Sequence, residues 1–278
     1  MADADSIWST ERAAETSRVA SIMLYGDSGV GKTFACVRMP GPVAWVAFED
    51  GALESVWARG YRPMHVSIRS YEDALDAVHD LRRKCEVAIR KGTPLPIRSV
   101  VIDSVTSAED KITQEIVEKG GKGLVQDSRP EVLSQGGYGV LGGRHRAVRD
   151  SVMMIPGVHK VFVALPKVKG GGEGEVVAVM PSISGQQGAR FPAYCNWTFY
   201  MEAYKIKGGI GRRIHTRHTG VVYAKDRLGV LDEEERADLA LVMDKGGYTS
   251  EADVYHVRNG GLGTRAESDA DWAALGAE

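Results

Sequence analysis

Residues 26–33 read Gly-Asp-Ser-Gly-Val-Gly-Lys-Thr, a match at every position to G-x-x-x-x-G-K-[ST]. Glycines at this spacing let the chain curl until successive backbone N–H groups converge, which is the geometry of a phosphate cradle. The flanks agree with that reading. Val19 to Tyr25 is an apolar, β-branched run suited to a buried strand. Phe34 to Met39 continues as a helix, Pro40 stops it, and the helix start adds partial positive charge to the cradle. Chance is the alternative in a chain with 33 glycines, but chance does not supply both flanks. In such a loop Gly26, Asp27, Ser28, Gly29, Val30, Gly31, Lys32, Thr33 and Phe34 contact a nucleotide. Lys32 reaches the β- and γ-phosphates, and the Thr33 hydroxyl ligates Mg²⁺.

The next strands supply acids at their carboxyl ends, where ligands bind in open α/β sheets. Pro42 to Phe48 reads as a strand ending in Glu49-Asp50-Gly51. Ser99-Val-Val-Ile-Asp103-Ser104 reads as a buried strand that presents Asp103. A strand ending in Asp is common. About 70 residues after a complete phosphate loop it is the Walker B pattern, with Asp103 holding Mg²⁺.

Between and beyond these motifs the chain alternates strands and helices. Met64–Ile68 is a short strand. Ser70 opens a helix to about Lys91 through a near capping box with Asp73, burying Leu75, Val78, Leu81, Cys85 and Ala88. Val105–Lys119 and Arg144–Met154 read as helices, and His159–Leu165 as a strand. Residues 120–143 and 167–190 are glycine-rich and read as long irregular loops, the kind that carry function in compact domains. Val176–Met180 and Trp197–Ala203 are further strands. Residues 204–227 form antiparallel strands about Gly208-Gly209, with a last strand at Gly220–Ala224. Asp232 caps a helix to about Met243.

Composition limits the function. Net charge is −2, so a nucleic-acid site must be a local patch. The basic residues Lys205, Lys207, Arg212, Arg213, Arg217, Lys225 and Arg227 against Asp226 make one such stretch. A charged edge strand kept from aggregating is its bland explanation. The 3 cysteines form no CxxC or zinc pattern and read as buried thiols of a reducing compartment. No signal peptide or apolar run of membrane length is present, which points to a cytoplasmic protein. Residues 1–17 read as a flexible arm whose Ile7 and Trp8 either pack back or dock on a neighbour. Residues 18–248 form the main domain, and 249–278 an acidic, mobile tail around Trp272.

A phosphate loop, a strand ending in an acid and Val-Val-Ile-Asp-Ser together are similar to the RecA-type core. Pro181-Ser-Ile-Ser-Gly185, the aromatic strand Trp197–Met201 and Tyr223-Ala-Lys-Asp-Arg227 resemble the short, core-only RecA-like ATPases of bacteriophages, which include single-strand annealing and recombination proteins. The resemblance covers roughly residues 18–245. It implies an α/β fold with a mostly parallel central sheet flanked by helices, and antiparallel strands added toward the C-terminus. It implies DNA-stimulated ATP hydrolysis with Mg²⁺ by a ring or filament bound to single-stranded DNA in the host cytoplasm, with a single-strand-binding protein as a further partner. Glu49 matches the acid that polarises water, with Asp50 competing. Lys225 and Arg227 match cations that reach a neighbour's γ-phosphate. The two glycine-rich loops match DNA-contacting loops and offer Lys122, Arg144, Arg146, Lys167, Lys169 and Arg190. Lys167 stands where that family places a polar sensor, and the loops lack an aromatic series for stacking bases. The reading from a different class is a nucleotide-dependent assembly switch or a helicase-loader-like ATPase without direct DNA chemistry.

Overall fold

The computed structural model describes residues 19–119, 123–170, 176–185, 187–207 and 209–277. The N-terminal arm with Ile7 and Trp8, Lys122, and the 171–175 tip lie outside the described residues.

Alternation along the strands builds the architecture. In β1 (Ser21–Tyr25), Ile22 and Leu24 face one layer, while Met23 and Tyr25 face the other. The same split recurs in β2 (Val43–Ala47), with Trp45 on one side and Ala44 and Val46 on the other. Both faces are covered, so these strands are buried along their whole length rather than alternating, as parallel sheets require. One face carries α1 (Lys32–Cys36) and α2 (Glu54–Trp57). The other carries α3 (Tyr71–Lys91), α4 (Val105–Lys119) and α5 (Gln135–Met153). Ser70 caps α3 with both hydrogen bonds of a capping box: Asp73 N–H to Ser70 Oγ at 3.0 Å, and Ser70 N–H to Asp73 Oδ2 at 3.1 Å.

The remaining sheet strands are β3 (Met64–Ser67), β4 (Ser99–Asp103), β7 (His159–Ala164), β10 (Trp197–Ile206), β11 (Gly209–His215), β12 (Lys225–Asp226) and β13 (Glu234–Arg236). Among the described residues the order is β13-β11-β10-β1-β7-β4-β2-β3, with β12 also on β10. From β10 to β3 every pairing is parallel, and β11, β12 and β13 add antiparallel. This is the expected mostly parallel α/β sheet with antiparallel strands toward the C-terminus.

Several local expectations are corrected. The described part of the 120–143 segment, residues 123–143, is not one irregular loop. It holds a hairpin of β5 (Val125–Gln126) and β6 (Arg129–Leu133), then the first half of α5. Gly136 and Gly137 are needed there because Cβ atoms would strike the carbonyls of Gly123 and Leu124 at 2.9 and 2.1 Å. Residues 167–190 hold a hairpin of β8 (Pro166–Gly170) with β9 (Val176–Pro181) and the start of α6 (Gln187–Tyr194). Gly220–Ala224 forms no strand, and Val222 makes only an isolated bridge to Val179. The helix assigned to Asp232 starts later: Asp238 caps α7 (Leu239–Lys245), and β13 precedes it.

The acid-rich C-terminal segment is folded rather than mobile. Gly41 bridges Val254, β14 (Tyr255–His256) pairs with β15 (Leu262–Gly263), and α8 (Arg265–Ala277) follows. His256 Nε2 accepts the Val43 N–H at 3.1 Å. The acids of α8 are consumed internally. Asp269 pairs with Arg38 and Arg265, and Asp271 accepts the Arg258 N–H. Trp272 stacks on Phe34 with ring centroids 4.8 Å apart.

Candidate active site

Parallel pairing puts the carboxyl ends of β1, β7, β4 and β2 on one edge of the sheet, and three of them lead into the site. β1 runs into the phosphate loop, β4 ends at Asp103, and β2 leads through Phe48 to Glu49. Gly26 sits so close to β10 that a Cβ would lie 2.2 Å from the Met201 carbonyl. Gly31 turns the loop into α1 at φ 102°, a left-handed conformation that disfavours other residues. Helix α1 spans only Lys32–Cys36, shorter than the sequence expectation and begun two residues earlier. Converging loop N–H groups, more than a long helix dipole, make the cradle.

Lys32 is buried, and its Nζ donates to the carbonyls of Gly26 and Asp27, both at 2.7 Å. Burial lowers its pKa, and the nearby Asp103, Glu49 and Asp27 oppose that shift. Thr33 Oγ1 donates to Asp103 Oδ2 at 2.8 Å. Burial raises the Asp103 pKa to about 6; the Thr33 hydrogen bond and Lys32 pull it back, while Glu49 raises it further. A buried carboxylate beside a hydroxyl is a hard-oxygen pair, and it gains from a cation. That fits Mg²⁺, which takes one or two protein oxygens and completes its shell with water and phosphate. Among the described residues no cluster of three or more His, Cys, Asp and Glu forms a metal cage.

Glu49 lies at the mouth of this site. Its Oε1 accepts from Ser104 Oγ at 2.8 Å and from Ser107 Oγ at 2.5 Å. The two hydroxyls also lie 2.8 Å apart. Asp50 is exposed on the turn that follows. The Phe34 ring is enclosed by Trp272, by Tyr61 edge-on, and by the Arg59 guanidinium 4.9 Å from its centroid. What Phe34 offers a nucleotide is therefore its backbone N–H.

Sequence reasoning did not single out Arg212. Its Nε donates to the Val30 carbonyl at 2.9 Å, which places a guanidinium against the phosphate loop. The signal was present, since Arg212 stands in the basic stretch, but only the β10–β11 register brings it here. Two of the seven cations in that stretch are neutralised locally: Arg213 pairs with Glu202 and Glu234, and Arg217 with Glu233. Lys225 donates to the Pro192 and Ala193 carbonyls at 2.9 and 3.3 Å, and Arg227 to Ala193 at 2.8 Å. Of the residues assigned to DNA, Arg146, Lys167, Lys169 and Arg190 are exposed. Arg144 is held by Glu115 at 3.3 Å and lies over the Tyr71 ring.

No curated protein matches the chain in sequence. Among solved structures it is similar to the flagellar accessory protein FlaH from Methanocaldococcus jannaschii. That match has 10% identity, covers 77% of this chain and 83% of that one, and has a TM-score of 0.41. A family model described as AAA domain matches residues 18–228, from the first strand through the phosphate loop and Walker B strand to the antiparallel edge, and the protein is a P-loop ATPase belonging to that family.

Proposed function

We propose that the protein hydrolyses ATP with Mg²⁺ as an oligomer on single-stranded DNA, in the manner of phage recombination ATPases that anneal or exchange strands. The observation that carries the hydrolytic half is Glu49, fixed by two serine hydroxyls beside Lys32, Thr33 and Asp103. A carboxylate so held is oriented to take the proton of a water attacking the γ-phosphorus. Thr33 and Asp103 would hold Mg²⁺, which when bound neutralises charge on the phosphate oxygens. Lys32 turns from the loop carbonyls to the phosphates and supplies the second positive charge. Arg212 stands close enough to the loop to add a third. Lys225 and Arg227 act on a neighbour's nucleotide only by leaving the carbonyls that hold them.

The DNA half draws support from the exposed Arg146, Lys167, Lys169 and Arg190 and from the family resemblance. A second reading, an assembly switch or loader without DNA contact, draws support from the −2 net charge and the internal pairing of Arg213 and Arg217. Phosphate release and a salt series of oligonucleotide binding separate the two. Lys32→Ala abolishes turnover with the fold intact. Glu49→Gln keeps nucleotide binding and loses turnover by about 10²–10⁴-fold, the worth of a general base. If Asp50→Asn gives that phenotype instead, the base is Asp50. On the DNA reading, affinity falls steeply with salt, as several released counterions require. No binding at low salt leaves the switch.

A further inference from the structure

A cleft of about 530 Å³ lies away from the phosphate loop, between α4, α5 and the turn leading into α6. That size suits a nucleotide-sized ligand. Its α5 wall has a bare patch at Gly139 and Gly142, where ideal Cβ atoms would meet no atom within 4 Å. A glycine inside a helix is destabilising relative to alanine. Unlike Gly136 and Gly137, these two have no packing reason in this chain. A flat ligand approaching the helix backbone would supply one.

The second observation is independent. His145 lines the cleft, is 5% exposed, and neither ring nitrogen makes a hydrogen bond of ordinary geometry. The Glu109 carboxylate is 4.0 Å from its Nε2 and accepts the Ser184 N–H at 2.9 Å. Burial lowers the histidine pKa, opposed by Glu109 and the Val105 carbonyl and assisted by Arg149, so the ring is a neutral donor–acceptor. Buried polar atoms left unmet are destabilising. At the mouth, Tyr138 is 52% exposed and Arg146 is free to reach a phosphate. An aromatic face, a cation and a polar floor together match a base carried on a phosphate. A carboxylate on the floor accepts from an exocyclic amino group, as in cytosine.

We propose that this cleft takes one unpaired nucleotide of a single strand, its base laid on the glycine face of α5 and its edge read by Glu109 and His145. The inference rests on the single-strand reading above. It also gives that reading a route to the ATP site. Helix α4 holds Glu49 through Ser107 and grips the far loop through Thr106, whose Oγ1 donates to the Ser182 carbonyl at 3.2 Å. Glu109 adds the bond to Ser184 one turn on.

The test uses the full chain and an oligonucleotide carrying 2-aminopurine, with melting temperature, affinity, base fluorescence and ATPase all read. Gly142→Ala and Gly142→Leu both raise the melting temperature, because each replaces a helical glycine beside open space. Gly142→Leu fills the cleft. It lowers affinity at least tenfold, removes the fluorescence change and leaves basal ATPase unaltered. Glu109→Gln keeps the bond to Ser184 and shifts preference away from cytosine-rich toward thymine-rich strands. Wild-type binding that Gly142→Leu and Glu109→Gln both leave unchanged overturns the cleft assignment while the DNA reading stands. A wild type that binds no strand removes both, and the first titration tells these cases apart.

Discussion

Asp103 is the residue on which binding and stability pull in opposite directions. Its carboxylate is buried with one hydroxyl partner, and its pKa stands near 6 against 3.8 in the unfolded chain. A raised carboxyl pKa means the folded state prefers the proton. The stability it contributes is present below about pH 3.8 and lost as pH rises through 6, at a cost of about 3 kcal/mol at neutral pH. Asp103→Asn keeps an oxygen for Thr33 Oγ1 and removes that charge. The variant is expected to melt above the wild type at pH 7, with the difference fading toward pH 4, while Mg²⁺-nucleotide affinity falls. Calorimetry across pH with and without nucleotide checks both. A variant less stable than wild type at pH 7 would contradict the burial argument.

At the scale of elements, α8 and α1 are coupled. Arg38 leaves the end of α1 with its side chain 2% exposed and meets Asp238, with Nε to Oδ1 at 3.1 Å, together with Ser268 and Asp269 of α8. Trp272 covers the Phe34 ring one residue past Thr33. A mobile tail was the sequence-based expectation. The contacts argue instead that truncation after Gly263 damages the fold, because it strips partners from a buried guanidinium. Removing one partner of a buried pair costs roughly 3–5 kcal/mol. Asp238→Ala is therefore expected to destabilise by about that much. Trp272→Ala, at a half-buried ring, is expected to cost about 2 kcal/mol, below the full cavity value for tryptophan. Each kcal/mol lowers the melting temperature by roughly 2–4 °C for a domain of this size. A Trp272→Ala protein that melts with the wild type would show that the stack contributes nothing.

Across the whole molecule, two buried histidines set the acid limit. His159 Nδ1 accepts the Ala20 N–H at 3.0 Å where β1 begins, and His256 Nε2 accepts the Val43 N–H at 3.1 Å where β2 begins. Both are neutral acceptors held by burial, with pKa values lowered to about 3 and about 4. Their stabilisation is complete above 6.5, the unfolded value, and is lost as pH falls through the folded values. Each removes about 3 kcal/mol by pH 4. Protonation of Asp103 returns about one such share, so the net of the three groups is a loss of about 3 kcal/mol. Denaturant midpoints are expected to fall from pH 6.5 to pH 4. His256→Gln, which keeps an acceptor that cannot titrate, flattens the profile. An unchanged slope would place the acid sensitivity elsewhere.

The phosphate loop, the Walker B strand and the parallel order of elements were legible because each is local. Eight consecutive residues define the loop, and apolar runs of strand length demand burial on both faces. The capping box of α3 was legible for the same reason. What the sequence did not disclose lies between distant positions. Glycines that read as a loop at 136–143 are helical, because the hairpin carbonyls and the layer over β4 and β7 hold them against their own propensity. Arg212 reaches Val30 across 182 positions, and Glu49 meets Ser107 across 58. The acid run of the C-terminus read as solvated charge until Arg38, 231 positions from Asp269, was seen to bury it. Local patterns determine which backbone forms and where a phosphate binds. Sheet register and the packing of layers decide which side chains meet there, since a pairing energy between two charges is invisible until the fold brings them within a few ångströms.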